Sequence, residues 1–161
     1  MGLYFFEDQF SDETLERHFD FYEPFTVHES SLSPCVHSIQ AAKLDRMEQA
    51  YTFYLRTSRL DLDDYNHEVH EGLHITSMAG TWMSIVEGFG GMRVIDDKLS
   101  FTPKIPEQWK EFSFKVNFRK RILTITVSHD SCKFTLDGNE EMSIRVNGNR
   151  VVLEPHTEVK I

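Results

Sequence analysis

The hydrophobic period of this chain changes once, and that change limits the folds open to it. Up to about residue 87, apolar residues recur at three- and four-residue spacing, as in Met47, Ala50, Tyr51 and Tyr54. That is the spacing of one face of an α-helix. Beyond Gly88, Gly90 and Gly91 the spacing falls to two. Phe112, Phe114, Val116 and Phe118 alternate with Ser113, Lys115 and Asn117, and Leu123, Ile125 and Val127 alternate with Thr124 and Thr126. Alternation marks a strand with one buried face. Helices first and strands afterwards make an α+β chain, with a helical region over residues 1–91 and an antiparallel sheet or sandwich over residues 92–161.

Local signals divide the two regions further. Residues 1–10 carry Tyr4, Phe5, Phe6 and Phe10 and read as the tail of a buried helix. Ser11 is placed to cap a helix over residues 12–21, which Pro24 ends. Ser33 is placed to cap a second helix, with Pro34 at its first position, where a missing N–H costs little. A third helix follows from about Asp45 after almost no link, so the two are expected as an antiparallel pair. A helix from about Leu73 to Glu87 closes the region, stopped by the glycines. In the second region, Asp96-Asp97, Asp137-Gly138 and Asn147-Gly148 are expected to turn hairpins. Phe112, Phe114 and Phe118 share one face and read as core, which favours a scaffold over a sugar-binding surface.

Charge excludes several partners. The net charge is -9. It is uneven, with -11 over residues 1–90 and +2 over residues 91–161. An acidic first half argues against nucleic acid, which needs a basic footprint. No run reaches the roughly 18 apolar residues of a membrane span, so no membrane partner is expected. The N-terminal stretch turns acidic at once and is not a secretory signal. Cys35 and Cys132 lie far apart and read as free, reduced thiols, which points to the cytoplasm.

The chemistry concentrates around His70-Glu71-Gly72-Leu73-His74-Ile75-Thr76-Ser77, and six of the eight histidines fall between His18 and His74. The first five residues spell H-E-x-x-H. On one helix, His70 and His74 would share a face and hold Zn²⁺, with Glu71 as general base. Gly72 inside the motif opposes that helix. Alternatively, a helix beginning near Leu73 presents unpaired N–H groups and a positive dipole end, which suit an anion. His74, Thr76 and Ser77 add donors there. The segment His28-Glu29-Ser30-Ser31-Leu32-Ser33 offers a second set. If the two sets converge they make an anion site; if not, Ser33 and Thr76 merely satisfy helix ends.

Several longer motifs stand in order. Tyr22-Glu23-Pro24 is followed by Thr26-Val27-His28-Glu29-Ser30-Ser31-Leu32-Ser33-Pro34, then by Arg56-Thr57-Ser58-Arg59-Leu60-Asp61-Leu62-Asp63. Glu71-Gly72-Leu73-His74-Ile75-Thr76-Ser77-Met78-Ala79-Gly80-Thr81-Trp82 comes next, then Gly88-Phe89-Gly90-Gly91 and Phe112-Ser113-Phe114-Lys115-Val116-Asn117-Phe118-Arg119. Together these resemble glycoside hydrolase family 65, whose members include maltose, trehalose and kojibiose phosphorylases. The resemblance covers nearly the whole chain.

That resemblance implies the last helices of an (α/α)6 barrel followed by an antiparallel, jelly-roll-like β-sandwich. It implies an inverting phosphorolysis of an α-glucoside, with inorganic phosphate as co-substrate and no other cofactor. Phosphate-binding residues would be His74, Thr76, Ser77, Ser30 and Ser31, with His28, Glu29 and Glu71 as site wall; Glu71 would have a structural role, orienting His74 or nearby backbone. The partners implied are the disaccharide, phosphate and the rest of the catalytic barrel, with a homodimer among the expected assemblies. The family's general-acid glutamate and a sugar-binding lysine–glutamine pair lie upstream of the motifs matched here, and nothing in this sequence replaces them. The chain alone is therefore expected to hold no catalytic residue and to be inert. Two other readings remain: a non-catalytic, carbohydrate-associated β-sandwich, and a small zinc hydrolase using His70, Glu71 and His74.

Overall fold

In the computed structural model, which describes residues 1–28 and 30–161, the chain divides into two units, Met1–Gly88 and Phe89–Ile161. The first is helical and the second is built from strands.

The helical unit opens with a short helix, α1 (Gly2–Phe5), and a 3-10 turn at Glu7–Gln9. The expected buried tail is not there: Phe5, Phe6 and Phe10 are exposed. Helix α2 (Asp12–Tyr22) starts as expected, with the Ser11 hydroxyl accepting from the Thr14 amide at 3.3 Å. Leu15 and Phe19, one turn apart, are its buried stripe. Pro24 lies in a 3-10 turn, Glu23–Phe25, that ends it.

Helix α3 (Ser33–Lys43) and helix α4 (Met47–Ser58) are joined by residues 44–46, with Asp45 at φ 61°. Ser33 does not cap α3; the N-cap is Leu32, and the Ser33 hydroxyl is hydrogen-bonded to His28 Nδ1 at 3.0 Å. Cys35, Ser38, Ile39, Ala41 and Ala42 are all buried, so α3 is enclosed on most of its surface. The buried Ser38 hydroxyl donates to the Ala50 carbonyl of α4 at 2.9 Å.

Helix α5 (Ile75–Met83) packs on both. At Gly80, an added Cβ would stand 2.8 Å from Cys35 Cβ and 3.3 Å from Thr57 Cγ2. Three helices thus meet where one has no side chain. The chain then widens into a π-helical stretch, Ser84–Phe89, and the Ser84 hydroxyl bonds back to the Gly80 carbonyl. Near the other end of the unit, the Tyr4 hydroxyl donates to Glu87.

The second unit has eight strands in two four-stranded sheets. One runs β1 (Arg93–Ile95), β2 (Lys98–Phe101), β6 (Met142–Val146), β7 (Asn149–Leu153). The other runs β3 (Glu111–Phe118), β4 (Arg121–Ser128), β5 (Cys132–Asp137), β8 (Glu158–Lys160). All strand pairs are antiparallel except β2 with β6. Leu99, Phe101, Ile144, Val146 and Leu153 of one sheet are fully or nearly fully buried, as are Leu123, Ile125, Phe134 and Leu136 of the other. Phe101 and Phe134 meet across the sheets at 5.4 Å. This is an antiparallel-rich β-sandwich, and the whole chain is α+β.

Two of the three expected hairpins form. Asp96 and Asp97, at φ 50° and 61°, turn β1 into β2, and Asn147-Gly148, at φ 50° and 79°, turns β6 into β7. Asp137-Gly138 does not turn a hairpin, because β5 and β6 belong to different sheets. The β3–β4 hairpin instead turns at Arg119 and Lys120, at φ 54° and 65°.

On β3, Phe114 is 8% exposed and packs inward with Val116. Phe114→Ala is expected to destabilise the β unit by about 3–5 kcal/mol, the usual cost of emptying a buried aromatic site. Chemical denaturation checks this; a change within about 0.5 kcal/mol would place Phe114 on the wrong face of the sheet.

Candidate functional site

The start of α5 is set by two residues. Gly72 takes φ 116°, which ends a 3-10 turn at Val69–Glu71 and breaks any continuous helix through the H-E-x-x-H string. His74 is then the N-cap of α5 and makes no side-chain cap bond. The helix begins at Ile75, two residues later than the sequence pattern predicts. His70 is exposed on the 3-10 turn, so it and His74 do not share a helical face. Among the described residues, no three His, Cys, Asp or Glu side chains gather as a metal site.

Instead of a metal, a carboxylate orders His74. Asp61 Oδ2 accepts from the His74 backbone N–H at 2.9 Å, and Asp61 Oδ1 accepts from His74 Nδ1 at 2.6 Å. The second ring nitrogen, Nε2, lies 3.5 Å from Glu68 Oε2. The bond to Asp61 raises the His74 pKa, with the Asp61 and Glu68 charges adding to it. The same bond, and the one from the His74 amide, lower the pKa of Asp61. Both directions describe an imidazolium–carboxylate pair.

The two expected donor clusters meet beside this pair. Ser31 Oγ and Thr76 Oγ1 share a hydrogen bond of 2.6 Å, joining the loop before α3 to the first turn of α5. The Ser30 hydroxyl accepts from the Leu32 amide at 3.3 Å and so shapes the turn that carries Ser31. Ser77 points elsewhere. It is 3% exposed, and its hydroxyl donates to the Thr57 carbonyl of α4 at 2.6 Å.

His28 also faces inward, with its side chain 11% exposed. Its ring lies 4.7 Å from His37 and 4.9 Å from Phe53. Burial pushes its pKa down to about 4, helped by the nearby His37 and Arg56 charges. Arg56 Nη2 donates to the His28 carbonyl at 2.6 Å, while its guanidinium lies over Tyr65. His37 donates from Nδ1 to the Ser33 carbonyl, and burial lowers its pKa too. Glu29 lies outside the described residues. Glu71 is exposed, and its described ion-pair contact, at 4.0 Å, is with His70. Its expected role of orienting His74 is taken by Asp61.

Asp61 and Glu68 are the residues that sequence reasoning missed. Asp61 opens an acidic run, Asp61-Leu62-Asp63-Asp64, that reads as a solvated loop. The run is in fact divided: Asp63 returns to Arg59 at 2.6 and 2.7 Å, while Asp61 goes forward to His74.

Residues 1–83 match the glycosyl hydrolase family 65 central catalytic domain, and residues 92–153 match the glycosyl hydrolase family 65, C-terminal domain. The chain is 50% identical over 157 residues to the maltose phosphorylase of Bacillus subtilis (strain 168), covering 98% of this chain and 21% of that protein. It is 40% identical over 147 residues to the α,α-trehalose phosphorylase of Thermoanaerobacter brockii, covering 91% of this chain and 19% of the relative. A solved structure described as a putative kojibiose phosphorylase from human microbiome superposes with a TM-score of 0.92 at 39% identity, covering 99% of this chain and 24% of that one. The chain thus spans about a fifth of the curated relatives it matches.

The opposite pKa directions of His28 and His74 give a pH test. Folding favours the charged His74 ring, so its contribution is complete below the ordinary value of 6.5 and is lost as pH rises through the raised value. Asp61 contributes fully above its ordinary 3.8 and loses this as pH falls through its lowered value. Folding favours neutral His28, whose contribution is complete above 6.5 and is lost as pH falls toward about 4. In a ring titration by NMR, His28 is expected to turn near pH 4 and His74 above 6.5. Coinciding midpoints would show that the two environments are assigned wrongly.

Proposed function

Because the chain belongs to glycosyl hydrolase family 65, we propose that it is the C-terminal part of an inverting α-glucoside phosphorylase of the maltose type. It supplies the phosphate side of the active site and a β-sandwich scaffold. The observation that carries this is the Ser31–Thr76 hydroxyl contact of 2.6 Å in the first turn of α5, whose N-cap His74 is bonded to Asp61. The 50% identity to a maltose phosphorylase supports the substrate class.

In this reading, phosphate replaces the water of an inverting glycosidase. A phosphate oxygen attacks the anomeric carbon as the glycosidic C–O bond breaks, and a carboxylic acid gives its proton to the leaving sugar oxygen. The products are β-glucose 1-phosphate and the freed sugar. No residue of this chain is assigned as that acid, so the chain alone is proposed to be inert toward disaccharide. Its work is positional. Ser31 and Thr76 donate to phosphate oxygens, Ser30 shapes the turn, and His74 supplies a positive N–H. Ser77 contributes by bonding α5 to α4, and His28 by packing as a neutral ring. Phosphate is the co-substrate, with no further cofactor. The same reading makes the rest of the catalytic domain the chain's first partner, includes a homodimer among its assemblies, and places it in the cytoplasm. Among the described residues no helix is long and apolar enough to cross a membrane.

In the whole protein that carries this chain, His74→Ala is expected to raise the KM for phosphate by roughly ten- to a hundredfold, the worth of one charge-assisted hydrogen bond. Inhibition by free glucose should stay within about twofold, since only uniform binding to phosphate is removed. Steady-state kinetics with phosphate as the varied substrate decide it. An unchanged KM for phosphate would overturn the assignment.

A further inference from the structure

We infer that Asp61 is the positioning residue of the anion site: its two bonds to His74 hold the imidazole so that Nε2 alone faces a bound anion. This rests on the reading of His74 as a phosphate donor. One carboxylate spans both the backbone N–H and the ring Nδ1 of a single residue, at 2.9 and 2.6 Å. The backbone bond fixes where α5 begins, and the ring bond fixes how the imidazole is turned about its side-chain torsions. With Nδ1–H given to Asp61, the proton left to offer is on Nε2.

A helix cap alone would need only the backbone bond. The ring bond is additional, and it commits Asp61 to the side chain that the anion site uses. Asp63, two residues on, shows that the loop does not require this: its carboxylate pairs with Arg59 instead.

Among the described residues, the charged groups facing the His74 ring are Asp61, on the segment after α4, and Glu68, before the 3-10 turn. Glu68 is the weaker neighbour: its Oε2 is 3.5 Å from Nε2 and also accepts from Asn66 Nδ2 at 3.4 Å. Thr76 and Ser31, hydrogen-bonded to each other, are neutral. Glu68 therefore stands where an anion would approach Nε2, and phosphate must displace it. Asp61 lies on the opposite ring nitrogen and stays in place while it does.

The test is the His74 ring spectrum in the whole protein that carries this chain, in wild type, Asp61→Asn and Glu68→Gln. The probes are inorganic phosphate and sulfate; sulfate keeps its charge across the titration. In wild type, His74 Nδ1–H should be a slowly exchanging, downfield proton. Its absence overturns the clamp without any variant having to fold. Asp61→Asn should lower the His74 midpoint and, above that midpoint, weaken sulfate binding about tenfold. Glu68→Gln should leave the Nδ1–H in place and bind sulfate as well as wild type or better. Equal losses in both variants would overturn the inference, because a general acidic field would then account for His74. A wild-type ring that responds to neither anion would overturn the phosphate reading, leaving the Asp61→Asn midpoint to decide the clamp alone.

Discussion

Everything at the candidate site depends on how closely α5 can approach α3 and α4. The approach is set at Gly80, where a Cβ would collide with Cys35 of α3 and press on Thr57 of α4. The neighbouring bonds share the same geometry. Ser77, one turn before Gly80, donates to the carbonyl of Thr57, and Ser84, one turn after it, bonds back to Gly80. With α5 seated there, its first turn meets the loop that enters α3, and Thr76 reaches Ser31. Its N-cap likewise meets the segment that leaves α4, and His74 reaches Asp61. A packing constraint made of small residues therefore brings together chain segments up to 45 residues apart.

The electrostatics are a consequence of this seating. His28 and His74 have the same side chain and opposite fates. His28 packs against His37 and Phe53, and burial makes the charged ring costly. His74 lies between two carboxylates in a more open place, and a direct bond to one of them favours the charged ring. A neutral ring supports a loop without attracting counter-ions, whereas a charged ring can attract an anion. The division of labour follows from burial and partner, which the residue type does not reveal.

That is also where sequence reasoning stopped. The elements were legible because their signals are local: Ser11 with Thr14 at the start of α2, alternation along β3 and β4, and Asn147-Gly148 between β6 and β7. Whether the two donor clusters meet was left open by the residues themselves; the family resemblance implied it, and Ser31 is bonded to Thr76. Asp61 was not, because its partner lies 13 residues away and nothing in an acidic run distinguishes the carboxylate that turns forward from the one that turns back. Arg119 and Lys120 hid a tight turn because neither is a residue that favours φ above zero, while Asp137-Gly138 advertised one where the chain only changes sheets. The H-E-x-x-H string was already doubtful in the sequence because of Gly72. Its meaning requires one continuous helix, and Gly72 at φ 116° interrupts it.

The charge balance around His74 completes the argument. Among the described residues, two carboxylates, Asp61 and Glu68, face the His74 ring. A dianion entering there is opposed unless one carboxylate withdraws. Asp61 is held by two bonds to His74, so withdrawal falls to Glu68, whose described side-chain contacts are at 3.4 and 3.5 Å. Under the proposed phosphate reading, exchange of one carboxylate for phosphate at Nε2 would leave the ring paired before and after binding. That makes the cost of entry small compared with creating a new buried charge. In the proposed reading it also accounts for an anion site in the acidic part of the chain: the Asp61 bond raises the His74 pKa and so favours the charged ring that an anion would need.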